Sequence, residues 1–224
     1  MEGLLARVPL FAALDDESAV SLEATLTTRT LTRGHLVFRE GDPGDRLFIV
    51  MDGKVKISRA AADGRENLLA VLGAGEMFGE LSLFDPGPRT ATVTTVTGST
   101  LASLDHDDLR PLLSERPGVA EQLLKALAQR LRRTNEAMAD LVFTDVPGRV
   151  AKALLDLADK FGVTEAEGTR VRHDLTQEEL AQLVGASRET VNKALSEFAH
   201  RGWLLIEGRS VLLLDPARLA RRAR

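Results

Sequence analysis

The sequence contains no cysteine. That absence excludes disulfides, thiolate zinc sites, cysteine-held iron–sulfur clusters and cysteine nucleophiles together. Its four histidines, His35, His106, His173 and His200, are scattered. None stands at the spacing of a zinc-binding helix, so they read as ordinary surface or core residues and no metal is expected. Also missing is any run approaching the roughly 18 consecutive apolar residues of a membrane-spanning helix. The N-terminal stretch MEGLLARVPLFAAL has an acidic start, carries Arg7 and offers no small-residue cleavage site, so a cytoplasmic location is expected. What is present is ample for one large or two ordinary domains: 224 residues, 44% of them apolar. The net charge of −4 is unevenly placed, with eight basic residues against four acidic ones from Ala186 onward. An acidic body with a basic C-terminal part points to an anionic partner for that part alone, although a solvated charged surface gives the same count.

Residues 30 to about 105 are strand-like, with short β-prone runs broken by the turns GDPGD, DG, DGR and GAG and continued by TATVTTVTGSTLASL. This spacing predicts a small antiparallel sandwich or barrel, preceded by a short helical preface over the first thirty residues. One stretch is out of character. GELSLFDPGPRTA, residues 79–91, reads as the end of a buried strand entering a Gly/Pro loop, yet it places Glu80 and Arg89 where apolar residues are expected.

After Pro117 the period changes. Leu124, Leu127, Leu131, Thr134, Met138 and Leu141 recur at alternating steps of three and four, the signature of a coiled-coil seam. A helix over 118–143 extends about 39 Å and predicts a homodimer. One seam position is polar, Thr134, with Asn135 beside it; a polar residue that fixes register is one reading of it. Asp145-Val146-Pro147-Gly148 breaks this helix, and a second amphipathic one follows with Val150, Leu154, Leu157 and Phe161 on one side. The predicted domains are therefore 1–117, 118–144 and 145–224.

The most specific local signal lies in LTQEELAQLVGASRETVNKALSEFAHRGWLLIEGRSVLLL. Thr176 with Glu179 is a capping box opening a helix at Gln177. Ala181, Gly185 and Val191 supply the small contact residue, the turn glycine and the apolar anchor of a helix-turn-helix. Ser187 caps the second helix, whose apolar side is Val191, Ala194, Leu195 and Phe198. Arg188, Glu189, Asn192, Lys193 and Ser196 are left on the other side, where they suit a DNA major groove: Arg and Lys donate to guanine, Glu accepts from cytosine. N-terminal residues of such a helix reach bases first, which favours Arg188 and Glu189. The following WLLIEGRSVLLL predicts a hairpin turning at Glu207–Ser210, a wing whose Arg209 can touch phosphate.

In this order the parts resemble the cyclic-AMP receptor protein branch of the CRP/FNR transcription factors, and most of all the GlxR-type regulators. EGDPGDRLFIV, GKVKI, FGELSLFDPGPRTA, RLRRTN, DVPGRVAK and GASRETVNKAL carry a likeness that covers nearly the whole chain. It implies an α+β fold: a cyclic-nucleotide-binding β-roll, a central dimerisation helix and a winged helix-turn-helix. By the same resemblance the segment from Phe78 to Ala91, Leu81 included, is a phosphate-binding cassette for cyclic AMP. Gly79 and Glu80 meet the ribose 2′-OH there, while Ser82, Arg89 and Thr90 hold the cyclic phosphate. Arg130 partners Glu80, and Thr134 and the opposite subunit's Asn135 meet adenine. A guanidinium with hydroxyl and amide donors suits a phosphodiester, and an acceptor-only carboxylate suits a hydroxyl. Thr176, Ser187, Arg188, Glu189, Thr190, Asn192, Lys193 and Arg209 form the expected DNA-contacting set. Two positions depart from the best-studied pattern, which has Ser where Asn135 stands and Arg where Lys193 stands. The implied function is transcriptional activation and repression with RNA polymerase at a palindromic TGTGA-like operator. A DNA-binding regulator with a vestigial or weakly coupled pocket is the alternative. An enzyme is disfavoured, since no metal cluster or base–nucleophile pair accompanies the loop.

Overall fold

The computed structural model of the chain describes residues 8, 16–61, 64, 66–85, 87–115 and 117–223. They group into two compact units, Met1–Arg59 with Ala70–Arg133, and Ala60–Leu69 with Thr134–Arg224.

The first unit opens on α1 (Asp16–Thr25), followed by β1 (Thr27–Leu31), β2 (Leu36–Phe38), β3 (Arg46–Asp52), β4 (Val55–Ala60), β5 (Glu66–Leu72) and β6 (Met77–Phe78). A one-turn helix α2 (Leu81–Phe84) leads to β7 (Thr92–Thr95), β8 (Ser99–Asp105), α3 (His106–Glu115) and the long α4 (Pro117–Phe143), whose residues from Thr134 onward belong to the second unit. Two four-stranded sheets result, in the orders β1-β8-β3-β6 and β2-β7-β4-β5. Alternation in β3 and β8 sets their register, with Leu47 opposite Leu104 and Ile49 opposite Ala102, all four fully buried. The space between the sheets is filled from both: Val50, Phe78 and Leu101 from one, Val55, Ile57 and Val93 from the other. The β-roll expected from the sequence is thus present. Phe48 stacks on Phe78 at 5.2 Å, with Phe38 5.7 and 5.9 Å from the two rings. On the outer side of the first sheet, Val119 and Leu123 from the start of α4 join Leu47 and Leu104 in a second core. Beyond that anchorage much of the apolar seam of α4 is uncovered: Leu124, Leu131, Met138 and Leu141 are each more than half exposed.

In the second unit come α5 (Val146–Phe161), β9 (Gly162–Glu165), β10 (Gly168–Val171), α6 (Gln177–Val184), α7 (Arg188–His200), β11 (Leu204–Glu207), β12 (Ser210–Leu213) and α8 (Pro216–Arg222). The strands form one sheet in the order β11-β12-β10-β9. The apolar faces of α5, α6 and α7 meet that sheet in a single core centred on Val150, Leu154, Ala181, Val191, Phe198 and Leu213. Both expected caps are formed. Thr176 and Glu179 make a reciprocal capping box, and the Ser187 side chain accepts from the Thr190 N–H.

Several local expectations are corrected. The chain after Phe78 is a helical turn, α2, rather than a strand end. Strand structure begins at Thr27, earlier than read, and the helical preface before residue 16 lies, Val8 aside, outside the described residues. The break between α4 and α5 is confined to Thr144 and Asp145. Asp145 caps α5 by accepting from the Gly148 N–H at 3.0 Å, so Val146, Pro147 and Gly148 are already helical. Proline is tolerated there because a first-turn N–H has no intrahelical partner. Helices α3 and α8 and the β9–β10 hairpin had no counterpart in the sequence reading.

Gly185 turns the chain between α6 and α7 in the left-handed region, φ 68°, and a Cβ at this point would stand 3.0 Å from Leu141 Cδ2. Gly185→Ala should therefore destabilise this unit by about 1–2 kcal/mol, read as a lowered melting transition. Gly185→Asn should cost less, since Asn tolerates that conformation; equal losses for the two would place the cost in the Leu141 contact instead.

Candidate functional site

The two out-of-character charges of the cassette are both inside the protein: Glu80 is 1% exposed and Arg89 5%. Gly79 bends the chain between β6 and α2 with φ 78°, and a Cβ there would meet Arg89 Nη1 at 2.8 Å. Only glycine allows that approach without a shift. Glu80 then precedes the single turn of α2 as its N-cap residue. Its Oε1 accepts from Arg130 Nη1 of α4 at 2.8 Å, while Oε2 is buried with no partner among the described residues.

Arg89 is held from several sides. Nη1 donates to the Gly79 carbonyl and to Ser82 Oγ, each at 2.9 Å, and Nη2 donates to the Arg46 carbonyl at 2.9 Å. The guanidinium carbon lies 4.4 Å from the Phe38 ring centroid, a cation–π arrangement. Asp45 stands 3.8 Å away. Burial lowers the pKa of Arg89, and Asp45 opposes that shift; an arginine remains a cation throughout. Asp45 itself is held below the usual carboxylate range, mainly by the hydrogen bond from Arg46. The Arg89 Nε is likewise buried without a partner among the described residues. The segment 79–91 thus carries a buried carboxylate oxygen and a buried guanidinium N–H without partners among the described residues.

Of the residues expected from the sequence, Gly79, Glu80, Ser82, Arg89 and Arg130 are brought together. Phe78 and Ala91 are buried beside them in the inter-sheet core, whereas Leu81 and Thr90 face outward. Thr134 and Asn135 follow Arg130 along α4 by about one turn, both exposed, and belong to the second unit. Sequence reasoning missed the supporting shell from GDPGDR: Gly44, where a Cβ would stand 2.4 Å from the Ser82 Cβ, and the Arg46 carbonyl. The run reads in the sequence as a turn and as part of the family likeness, and its two glycines are the available signal for a supporting role.

On the second unit, Arg188, Glu189, Thr190 and Lys193 are exposed on α7, opposite its buried face. Gln177 at the start of α6, also missed, accepts from Asn192 Nδ2 at 3.2 Å and from Arg188 Nη2 at 3.4 Å, so it bridges the two helices. Arg209 is exposed at the tip of the β11–β12 hairpin, and its carbonyl accepts from the Asp174 N–H at 3.0 Å. Ser187 and Thr176 serve as caps. Among the described residues no group of three or more metal-ligating side chains could hold a metal ion, and no helix is long and apolar enough to cross a membrane.

Comparison with known proteins assigns both parts. Residues 28–116 match the cyclic nucleotide-binding domain and residues 148–222 the Crp-like helix-turn-helix domain. The chain is 59% identical, over all 224 residues and the full length of both chains, to a CRP-like cAMP-activated global transcriptional regulator of Mycobacterium tuberculosis. It is 37% identical over 194 residues, 87% of each chain, to the cyclic AMP receptor protein of Thermus thermophilus. Among solved structures, the c-di-GMP responsive global regulator of Xanthomonas campestris superposes with a TM-score of 0.76 at 30% identity, covering 88% of this chain and 99% of that one. These domains and relatives are those of transcriptional regulators, not enzymes. With a DNA-binding helix-turn-helix, a cyclic-nucleotide-binding β-roll and a relative matching it from end to end, the chain belongs to the CRP/FNR family of transcriptional regulators.

Proposed function

We propose that the protein is a homodimeric, cyclic-AMP-responsive regulator in the cytoplasm that activates and represses transcription with RNA polymerase. The observation that carries this reading is the buried pair of opposite charges in one turn, Glu80 and Arg89, each with an unsatisfied atom. Cyclic AMP offers a ribose hydroxyl to the first and a singly charged phosphodiester to the second. In the proposed complex Glu80 and Gly79 take the 2′-OH, while Arg89, Ser82 and Thr90 take the phosphate with backbone N–H groups. Thr134 and the partner copy's Asn135 meet adenine. The domains proposed are 1–117, 118–144 and 145–224. The exposed apolar seam of α4 is proposed as the dimer contact. Two-fold symmetry then pairs the recognition helices on a palindromic TGTGA-like operator with half-sites about 10–10.5 bp apart. Arg188, Glu189, Asn192 and Lys193 reach bases, and Ser187, Thr190, Thr176 and Arg209 reach the backbone. Ligand acts by binding one arrangement of the dimer better than the other.

The second reading, a DNA-binding regulator with a vestigial or only weakly coupled pocket, draws on the Arg89 donors already engaged by Gly79, Ser82 and Arg46. Calorimetry separates the two. Cyclic AMP should bind one site per chain, and Arg89→Ala should weaken it by at least about ten-fold, the loss of charge-assisted hydrogen bonds. Binding of cyclic di-GMP or cyclic GMP in preference would reassign the ligand, and absence of any binding would leave only the DNA half. Operator titrations at fixed salt test that half: Arg188→Ala should lose about ten-fold in operator affinity, with little change on unrelated duplex. An equal loss on both DNAs would make Arg188 a phosphate contact. For the dimer, Leu131→Glu should shift the sedimentation coefficient to that of a monomer; an unchanged value would remove the seam from the interface.

A further inference from the structure

The C-terminal helix carries chemistry that the proposed function does not use. An open depression of the surface is lined by Trp203, Arg218, Arg221 and Arg222. The three arginines stand at three- and four-residue spacings along α8, hence on one face, where like charges repel. Two of them have carboxylate partners: Arg218 lies 3.1 Å from Asp215, and Arg222 donates to Asp145 at 2.6 Å. Arg221 makes only a 3.4 Å hydrogen bond to the Ala217 carbonyl, with no ion pair among the described residues. A fourth guanidinium, Arg201, sits 5.2 Å from the Trp203 ring and is paired with Glu197 at 2.7 Å. A favourable interaction with the helix C-terminus accounts for Arg221 and Arg222, but not for Arg218 in the first turn or for their convergence on an aromatic wall.

The site is remote from the base-reading end of α7. The Trp203 ring stacks on Phe198, and the Trp203 backbone N–H donates to the Phe198 carbonyl at 3.0 Å. Phe198 lies near the C-terminal end of a helix about 18 Å long, while Arg188 lies at its start. We propose that this depression binds an organic phosphate. Guanidinium groups recognise phosphate oxygens with paired, charge-assisted hydrogen bonds, and the indole supplies an apolar wall for the organic part. Arg221 provides the uncommitted charge, and Arg218 the next. Occupancy competes with Asp145 for Arg222, and Asp145 is the residue that caps α5.

Trp203 is the only tryptophan in the chain, so its emission reports this depression. The probe is inorganic pyrophosphate, titrated into the full-length protein without cyclic nucleotide, at constant ionic strength with chloride as the balancing anion. A saturable change in tryptophan emission is expected. Arg221→Ala, an exposed side chain with no ion pair, should weaken it by about ten-fold or more. Arg218→Ala should also weaken it, whereas Arg221→Lys should fall between wild type and Arg221→Ala, and Lys193→Ala should leave it unchanged. The proposal is overturned by a non-saturable response, or by one that Arg221→Ala and Arg218→Ala leave intact. It is equally overturned if unrelated duplex DNA gives the response and pyrophosphate does not, since α8 would then be a backbone contact.

Discussion

A carboxylate that is 1% exposed constrains everything around it. Removing Glu80 from water is costly unless a cation and hydrogen-bond donors compensate it, and the nearest compensation is Arg130, on α4. That helix has to be fixed for Arg130 to arrive, and it is fixed at its start, where Val119 and Leu123 are buried against the first sheet. The turn has to be tight for Glu80 to point inward, and Gly79 with its positive φ makes it so. One ion pair thus ties the end of β6, the turn of α2 and the middle of α4 together.

Arg89 imposes the complementary constraint. A buried guanidinium has five N–H groups to satisfy, and this one draws on two backbone carbonyls, one hydroxyl and an aromatic face. None of these acceptors is a close carboxylate; Asp45 is 3.8 Å away. The positive charge is therefore solvated by dipoles rather than cancelled. Such a group is held in place yet still attracts an anion, which distinguishes it from a structural salt bridge.

What could be read in advance was what is decided locally. The capping box at Thr176, the Ser187 cap and the turn at Gly185 depend on residues within a few positions, and all are where the sequence put them. The β-branched alternation of TATVTTVTGSTLASL and the heptad steps of α4 were legible for the same reason. The α2 turn was not, because its conformation follows from Glu80 and Arg89 being drawn inward rather than from LSLF itself. The β9–β10 hairpin was missed because GVTE is exposed at every position and carries no alternation to read. The acceptor at position 46 is a backbone carbonyl, which any residue supplies, so no residue type could announce it. Gln177 was hidden differently: its role lies in a pairing across the turn with Arg188 and Asn192.

The proposed response to cyclic AMP turns on the same two charges. A ligand shifts an equilibrium only by its difference in affinity between two arrangements, so the pocket must touch something that moves. Glu80 satisfies that requirement through Arg130, which stands on α4 about one turn before Thr134 and Asn135. A ribose hydroxyl placed against the free Oε2 of Glu80 strengthens the site without breaking the Arg130 bond. A phosphate drawing on Arg89, by contrast, must compete with the Gly79 carbonyl and Ser82 that now hold Nη1. Ribose recognition in this reading reinforces the existing geometry and phosphate recognition rearranges it, which locates the start of the signal at Arg89 and leaves Glu80, through Arg130, as its link to α4.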